Sequence, residues 1–428
     1  MSLERADLEK MLNIIKVYES KIDLSIKIPL KEYEERNRKV WEEMKKRSID
    51  LGFFFWYREM PGDGIYLTGY NPTIERASGF IAPNKGPLLL AGPESGILSK
   101  EVGLDIETYY VEEFGISDEY YEGLVYGSIK DLISNYVGDG IKTIGLMTAD
   151  DYIPHRFVHF LSNGINPDIS VINASDILAD LRYEKSENEI KCMQQANVIA
   201  CAALRSMLCV IRPGMRETEV AAVGDLTIKA LGGIGYGFET IVTSGDRCRT
   251  VIGPATNKII KENELVQFGC SPSYEGYKGI SRRAVVAGRR NEIQNKYFQL
   301  MNAGYEIAVN ELKNVVENSL PNNRIDVIPR EYFGQKEIDG HNMKQFHFYS
   351  TCHGTGLTEC LEPLVIHPLI EKFYGNNVGI MLDLGLYGHP NVDICGGCVE
   401  DAYFKKGKEV IKFSDLPVDV QELVGKGL

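Results

Sequence analysis

The sequence predicts an α/β domain followed by a second domain of α+β class. Three observations lead there. At 428 residues the chain exceeds what one compact core ordinarily organises. Its first part mixes helical patterns with short apolar runs, as strands lying between helices do. Beyond one long amphipathic segment, β-rich segments alternate with helices, the pattern of an α+β domain.

In order, the helical pattern Glu32 to Arg47 precedes the strand-like runs Leu51 to Trp56, Pro87 to Ala91 and Thr143 to Met147. Near Asp176 a charged amphipathic helix, Ser186 to Ile211, takes over. It is opened by Ser-Glu-Asn-Glu, which supplies a cap and early acidic residues. The boundary is placed here, giving domains 1–177 and 178–428. Ile211-Arg-Pro-Gly-Met stops that helix. Glu217 to Leu231 forms another, ended by the glycine-rich stretch Gly232 to Gly237. That stretch lacks G-x-G-x-x-G spacing and a strand running into a helix, so it reads as a turn rather than a phosphate loop. Strands follow at Thr240 to Ser244, Glu264 to Gly269, Ser281 to Ala287, Gly379 to Leu386 and Gly397 to Phe404, with a helix at Gln294 to Asn314. There is no internal repeat or low-complexity segment.

A formal net charge of -13, with no compensating basic run, disfavours nucleic acid and anionic membrane surfaces as partners. No segment approaches about 18 apolar residues, and the charged N-terminal stretch has no signal-peptide core, so a cytoplasmic protein is expected. Nine cysteines, scattered and odd in number, read as free thiols. Cys395-Gly-Gly-Cys398 has redox spacing, but its flanks read as extended chain rather than a helix N-terminus, which favours structural thiols. Asn173-Ala-Ser matches a glycosylation sequon, with no consequence expected in a chain lacking a secretion signal.

The second half carries a series of landmarks in fixed order: LRYEKSENEIKCMQQANVIA, I-R-P-G-M-R-E-T-E-V, FETIVTSG, then GPATNKIIKENELVQFGCSPSYEGYKGISRRA. After these come His353-Gly-Thr-Gly-Leu with Glu362-Pro363, Gly385-Leu-Tyr behind an acidic residue, and Val399-Glu400-Asp401. Across roughly residues 175 to 412 the chain resembles the creatinase, methionine aminopeptidase and prolidase family, the pita-bread proteins, and is most similar to creatinase-like members. Upstream, IYLTGYNPTIERASGF resembles their N-terminal domain. The resemblance implies an N-terminal α/β domain, a C-terminal domain of curved antiparallel sheet backed by helices, and a homodimer.

Peptidases of that family hold two divalent metals with two Asp, one His and two Glu, since bridging carboxylates keep paired cations close enough to activate one water. Laid over those motifs, Gly269 stands at the first Asp and Ile280 at the second; His353 keeps the histidine, Asp383 replaces the first Glu and Glu400 keeps the last. A dinuclear site is not expected. No metal is the first expectation, and a single Zn, Mn or Fe on His353, Asp383 and Glu400 the alternative. Ile252 stands where the family places a substrate-side His, and Cys360 where it places a second His. In creatinase the Ile252 and Arg282 positions hold the proton-transferring His and a Glu that binds the guanidino group, which disfavours creatine hydrolysis.

On a strand, Arg282 shares a face with Ile280, two residues away, and aims a guanidinium at the vacated metal position, relieving two desolvated carboxylates. A register shifted by one hands this role to Arg283. The expected site is therefore His353, Glu400 and Asp383 as catalytic groups, with Arg282, Glu362 and His347 binding substrate. Cys398 shares a strand face with Glu400, and His389 and Asp393 sit in the loop YGHPNVD at the rim. Three functions stay open: hydrolysis or binding of a small amidino, amide or imino compound without the two-metal mechanism; a non-catalytic protein binding a peptide or protein partner; and a mononuclear aminopeptidase or prolidase. A small molecule or short peptide is the expected ligand.

Overall fold

The computed structural model describes residues 3–102, 106–111, 114, 122–138, 140–166, 168–364 and 366–428. The chain forms two compact units, Ile28–Tyr183 and Met1–Lys27 with Glu184–Leu428. The first unit therefore starts later and ends later than residues 1–177. The N-terminal helix Arg5–Glu19 packs instead on the long helix Glu187–Val210. It is fastened there by the Tyr18 hydroxyl on Asp415 (2.7 Å) and by Arg212 on Asp7 (2.8 Å).

In the Ile28–Tyr183 unit, the described strands are β1 (Leu51–Trp56), β2 (Ala77–Ala82), β3 (Lys85–Ala91), β4 (Glu107–Tyr110), β5 (Thr143–Leu146) and β6 (Ser170–Asn173), in the order β4-β3-β2-β1-β5-β6. β1 is antiparallel to β2 and parallel to β5. Every residue of β1 is buried, as a strand covered on both faces requires. Phe53 and Phe55 enter a core with Phe80, Leu90, Leu132 and Phe157, while Phe54 and Trp56, pointing the other way, stack at 5.3 Å. The expected helix near residues 32 to 47 is Leu30–Lys46.

The other unit carries β7 (Ile241–Ser244), β8 (Glu264–Cys270), β9 (Ser273–Tyr274), β10 (Tyr277–Lys278), β11 (Ser281–Ala287), β12 (Glu337–Ile338), β13 (His341–Asn342), β14 (Cys352–Gly354), β15 (Asn377–Tyr387), β16 (Gly396–Lys406) and β17 (Glu409–Lys412). Its main sheet is antiparallel throughout and runs β14-β15-β16-β11-β8-β7, with β17 beside β16. Helices Glu187–Val210 and Glu292–Asn318 back it. This is the curved antiparallel sheet with helical backing of the pita-bread fold, and the Ile28–Tyr183 unit is of α/β type.

Local chemistry accounts for the helix ends. Ser186 and Glu189 cap each other's backbone N–H groups at 3.1 and 2.8 Å, starting the long helix. Gly214, at φ 89°, turns the chain beyond it in a conformation that costs glycine little. The stretch Gly232 to Gly237 runs beside Ser271 and Ser273, with Ile234 N–H bonded to the Ser273 carbonyl and Gly237 N–H to the Ser271 carbonyl, each at 2.7 Å, so these donors are spent inside the fold. Among the described residues no helix is long and apolar enough to cross a membrane.

Candidate active site

Four strands bring one row of residues together. Arg282 pairs across the ladder with Gly269 on β8 and with Glu400 on β16, and Glu400 pairs in turn with Asp383 on β15. Because β side chains alternate, Arg282, Glu400 and Asp383 share one face, while Arg283 and Asp401 share the helix-backed face. Arg283 binds both Asp401 oxygens at 2.9 and 3.0 Å, where Tyr305 also donates. The register is thus the one that places Arg282, not Arg283, in the site.

The Arg282 guanidinium is spent inward. Nη1 lies 3.1 Å from Glu400 Oε2 and 3.4 Å from Asp383 Oδ2; Nη2 donates to the Tyr387 hydroxyl at 2.9 Å and to the Val251 carbonyl. Nε has no partner among the described residues. At 1% exposure this arginine acts as a counter-ion inside the protein, not as the substrate anchor expected from sequence. The Tyr387 hydroxyl donates to Gln267 Oε1, and Gln267 Nε2 donates to the Thr250 and Val251 carbonyls at 3.2 and 3.3 Å. Tyr349 donates to Asp383 Oδ1 at 2.9 Å.

His353, on β14, donates from Nδ1 to the Gly354 carbonyl and turns Nε2 toward Glu400 Oε1 (3.5 Å) and Glu359 Oε1 (3.7 Å). Burial opposes its charge, but the bond to Glu400 and the charges of Glu359 and Glu400 outweigh it, holding the imidazole up at about 9. Burial, reinforced by the neighbouring Glu400, raises Asp383 to about 6 against the pull of Arg282 and His353. His353, Glu359 and Tyr349 are the partly exposed members, so a ligand reaches the group from their side. Ile252, Phe348 and Leu361, all more than half exposed, are the apolar residues beside these segments in the chain.

A dinuclear centre does not fit these residues. Gly269 offers no donor, Ile280 packs with Met381 and Ala402 in an apolar cluster, and Arg282 is bound between Asp383 and Glu400. The donor set for one ion differs from the expected His353, Asp383 and Glu400. His353, Glu359 and Glu400 place ligand atoms within 4.8 Å of one another, whereas Asp383 is held by Arg282 and Tyr349.

Two further expectations change. Glu362 lies behind the His353-Gly-Thr-Gly turn, accepting from Thr358 and pairing with Lys185 at 3.1 Å in a buried bridge. His347 is buried, with Nδ1 on the Gly385 carbonyl (2.9 Å) and Nε2 on Thr351 (2.8 Å), so neither nitrogen is left for substrate. His389 is likewise buried, with Nδ1 accepting from the Asn391 amide, and Asp393 accepts from Asn291. Cys395 and Cys398 are buried, Cys395 in an αR bend and Cys398 on the extended β16; burial raises their thiols to about 11 and about 12. Glu359, Tyr349, Tyr387 and Gln267 were missed from sequence. Tyr387 was visible in the Gly385-Leu-Tyr motif and Glu359 as the neighbour of Cys360, but nothing in the sequence marked Tyr349.

The sequence profile of metallopeptidase family M24 matches residues 191–390. The chain is 27% identical over 330 residues to the Xaa-Pro dipeptidase of Pyrococcus horikoshii, covering 76% of this chain and 82% of that one. It is 27% identical over 356 residues to the Xaa-Pro dipeptidase of Pyrococcus furiosus, covering 82% and 90%. Residues 191–390 thus carry a domain of metallopeptidase family M24, the creatinase and prolidase type of pita-bread domain. Among solved structures it is similar in fold to the prolidase from Pyrococcus horikoshii, with a TM-score of 0.73, 22% identity, and 91% and 100% of the two chains covered. It is likewise similar to the X-Pro aminopeptidase from Thermotoga maritima, with a TM-score of 0.74, 21% identity, and 90% and 99% covered. The chain is thus similar to prolidases in sequence and fold, and within the M24-matching segment Arg282 lies on Asp383 and Glu400.

Proposed function

We propose that this M24-family protein hydrolyses the C–N bond of a short peptide or a small amide, imino or amidino compound, without a dinuclear metal centre. The observation that carries the proposal is His353 Nε2 lying 3.5 Å from Glu400 and 3.7 Å from Glu359, on the partly exposed side of the site. An imidazolium kept charged to about pH 9 is a proton donor at neutral pH, and Glu359 beside it is a proton acceptor. As a water oxygen bonds the substrate carbon, Glu359 takes the water proton. As the C–N bond breaks, His353 protonates the leaving nitrogen, and the proton on Glu359 then returns to His353. Asp383 and Glu400, held by Arg282, fix the imidazole and the substrate's polar atoms. Three carboxylates against two cations leave the group acidic, which favours substrates carrying an amine or amidine.

The Xaa-Pro dipeptidase relatives make Xaa-Pro dipeptides the first substrates to try, followed by small amides and amidino compounds. Hydrolysis that survives chelation and falls 100-fold or more, by order of magnitude, in both His353→Gln and Glu359→Gln supports the proposal. Ligand binding without turnover on every class supports the non-catalytic binding protein instead. One observation favours a second reading: His353, Glu359 and Glu400 form a donor set for one divalent ion, which would supply a Lewis acid at the same place. Chelation that abolishes activity selects it. A homodimer is part of the proposal, and light scattering tests it.

A further inference from the structure

We propose that Arg282 is a resident cation: its guanidinium takes the place of a metal between Asp383 and Glu400, and Gly269 is glycine because the arginine needs its space. Three independent features meet here. First, the charge is in place, with one guanidinium nitrogen on both carboxylates at 3.1 and 3.4 Å. Second, a Cβ at Gly269 would lie 2.2 Å from Arg282 Cγ and 2.8 Å from the Ser281 carbonyl, so any side chain there, a ligating aspartate included, is incompatible with the arginine's path. Third, Ile280 contributes a fully buried methylated surface with Met381 and Ala402, so the floor beside the guanidinium is apolar.

The substitutions at Gly269 and Arg282 therefore act as one change. Arg282 supplies permanently the positive charge that the two carboxylates require, and it cannot lose its proton in a protein. A divalent ion at this position would have to displace a buried guanidinium that also holds Tyr387 and the Val251 carbonyl. The inference goes beyond hydrolysis and does not depend on it.

The test is metal content by plasma mass spectrometry and Mn2+ and Zn2+ titration by calorimetry, on the full chain purified without chelator. Wild type is compared with Arg282→Lys, with Asp383→Asn, with Glu359→Gln and with the exchange variant Arg282→Gly/Gly269→Asp. The expected result is that the exchange variant gains roughly one ion per chain and a melting temperature that rises with Mn2+, while wild type and Arg282→Lys hold no ion dependent on Asp383. Wild type holding a near-stoichiometric ion that Asp383→Asn releases overturns the proposal, whether or not the exchange variant folds. A folded exchange variant that takes up no ion overturns it too. An ion in wild type that Glu359→Gln releases and Asp383→Asn retains supports Arg282 as the cation at Asp383, and separately decides for the mononuclear site. Absence of turnover on every substrate sinks the hydrolytic proposal without changing these counts.

Discussion

Gly269 lies directly across the β8–β11 ladder from Arg282, and the arginine's Cγ fills the space that a Cβ at position 269 would take. The smallest side chain of one strand and one of the largest buried side chains of the next form one packing unit.

Gly269→Ala is therefore expected to cost about 1–3 kcal/mol, by overpacking. Urea unfolding measures it. In a double-mutant cycle with Arg282→Gly, the two changes should be non-additive by more than about 0.5 kcal/mol, as residues in contact are.

Arg282→Met leaves Asp383 and Glu400 buried without their counter-ion and should cost about 3–5 kcal/mol at neutral pH. The loss shrinks on acidification, because protonated carboxyls need no cation. Thermal melts at several pH values report both effects.

Asp383 has a folded-state value raised to about 6 from 3.8, so it favours the protonated folded form. Its contribution to stability is complete below the unfolded value and is lost as pH rises through about 6, by a few kcal/mol on the linkage scale. Asp383→Asn should flatten the stability curve between those two values.

His353 is also raised, from 6.5 to about 9, so its favourable contribution is present below the lower value and lost as pH rises through the upper. Turnover should fall above about pH 9. Glu359→Gln removes one of the two charges that hold the imidazolium and should move the alkaline limb to lower pH, which a pH–rate profile reads.

Cys395 and Cys398 are both buried with raised thiols, while Cys360 is the exposed cysteine. A thiol reagent on native protein should leave Cys395 and Cys398 unlabelled until denaturant is added, and mass mapping identifies the sites. Labelling of both in the native state would contradict the buried placement.

How far the site was legible depended on whether a feature is local. Motif order and strand alternation were enough to place His353, Asp383, Glu400 and Arg282 on converging strands, because spacing along a strand decides which face a side chain occupies. The same alternation left the choice between Arg282 and Arg283 open, since a slip of one residue exchanges the faces. Glu359 and Tyr349 sit on irregular segments around β14, whose path no periodicity encodes.

The sequence by itself carried the family resemblance, the β-rich second unit, the capped long helix and the presence of Gly269 and Ile280 where that resemblance places metal ligands, all of which are properties of residue type and order. Only the tertiary structure decided the rest. The N-terminal helix joins the second unit through Tyr18 and Asp7, Glu362 and His347 are spent on internal bonds, Glu359 completes the donor set around His353, and Arg282 lies inside the fold between two carboxylates. Each of these depends on which distant segments come within bonding distance of a buried polar group. That group must find a partner somewhere in the fold, and the chain's order does not say where.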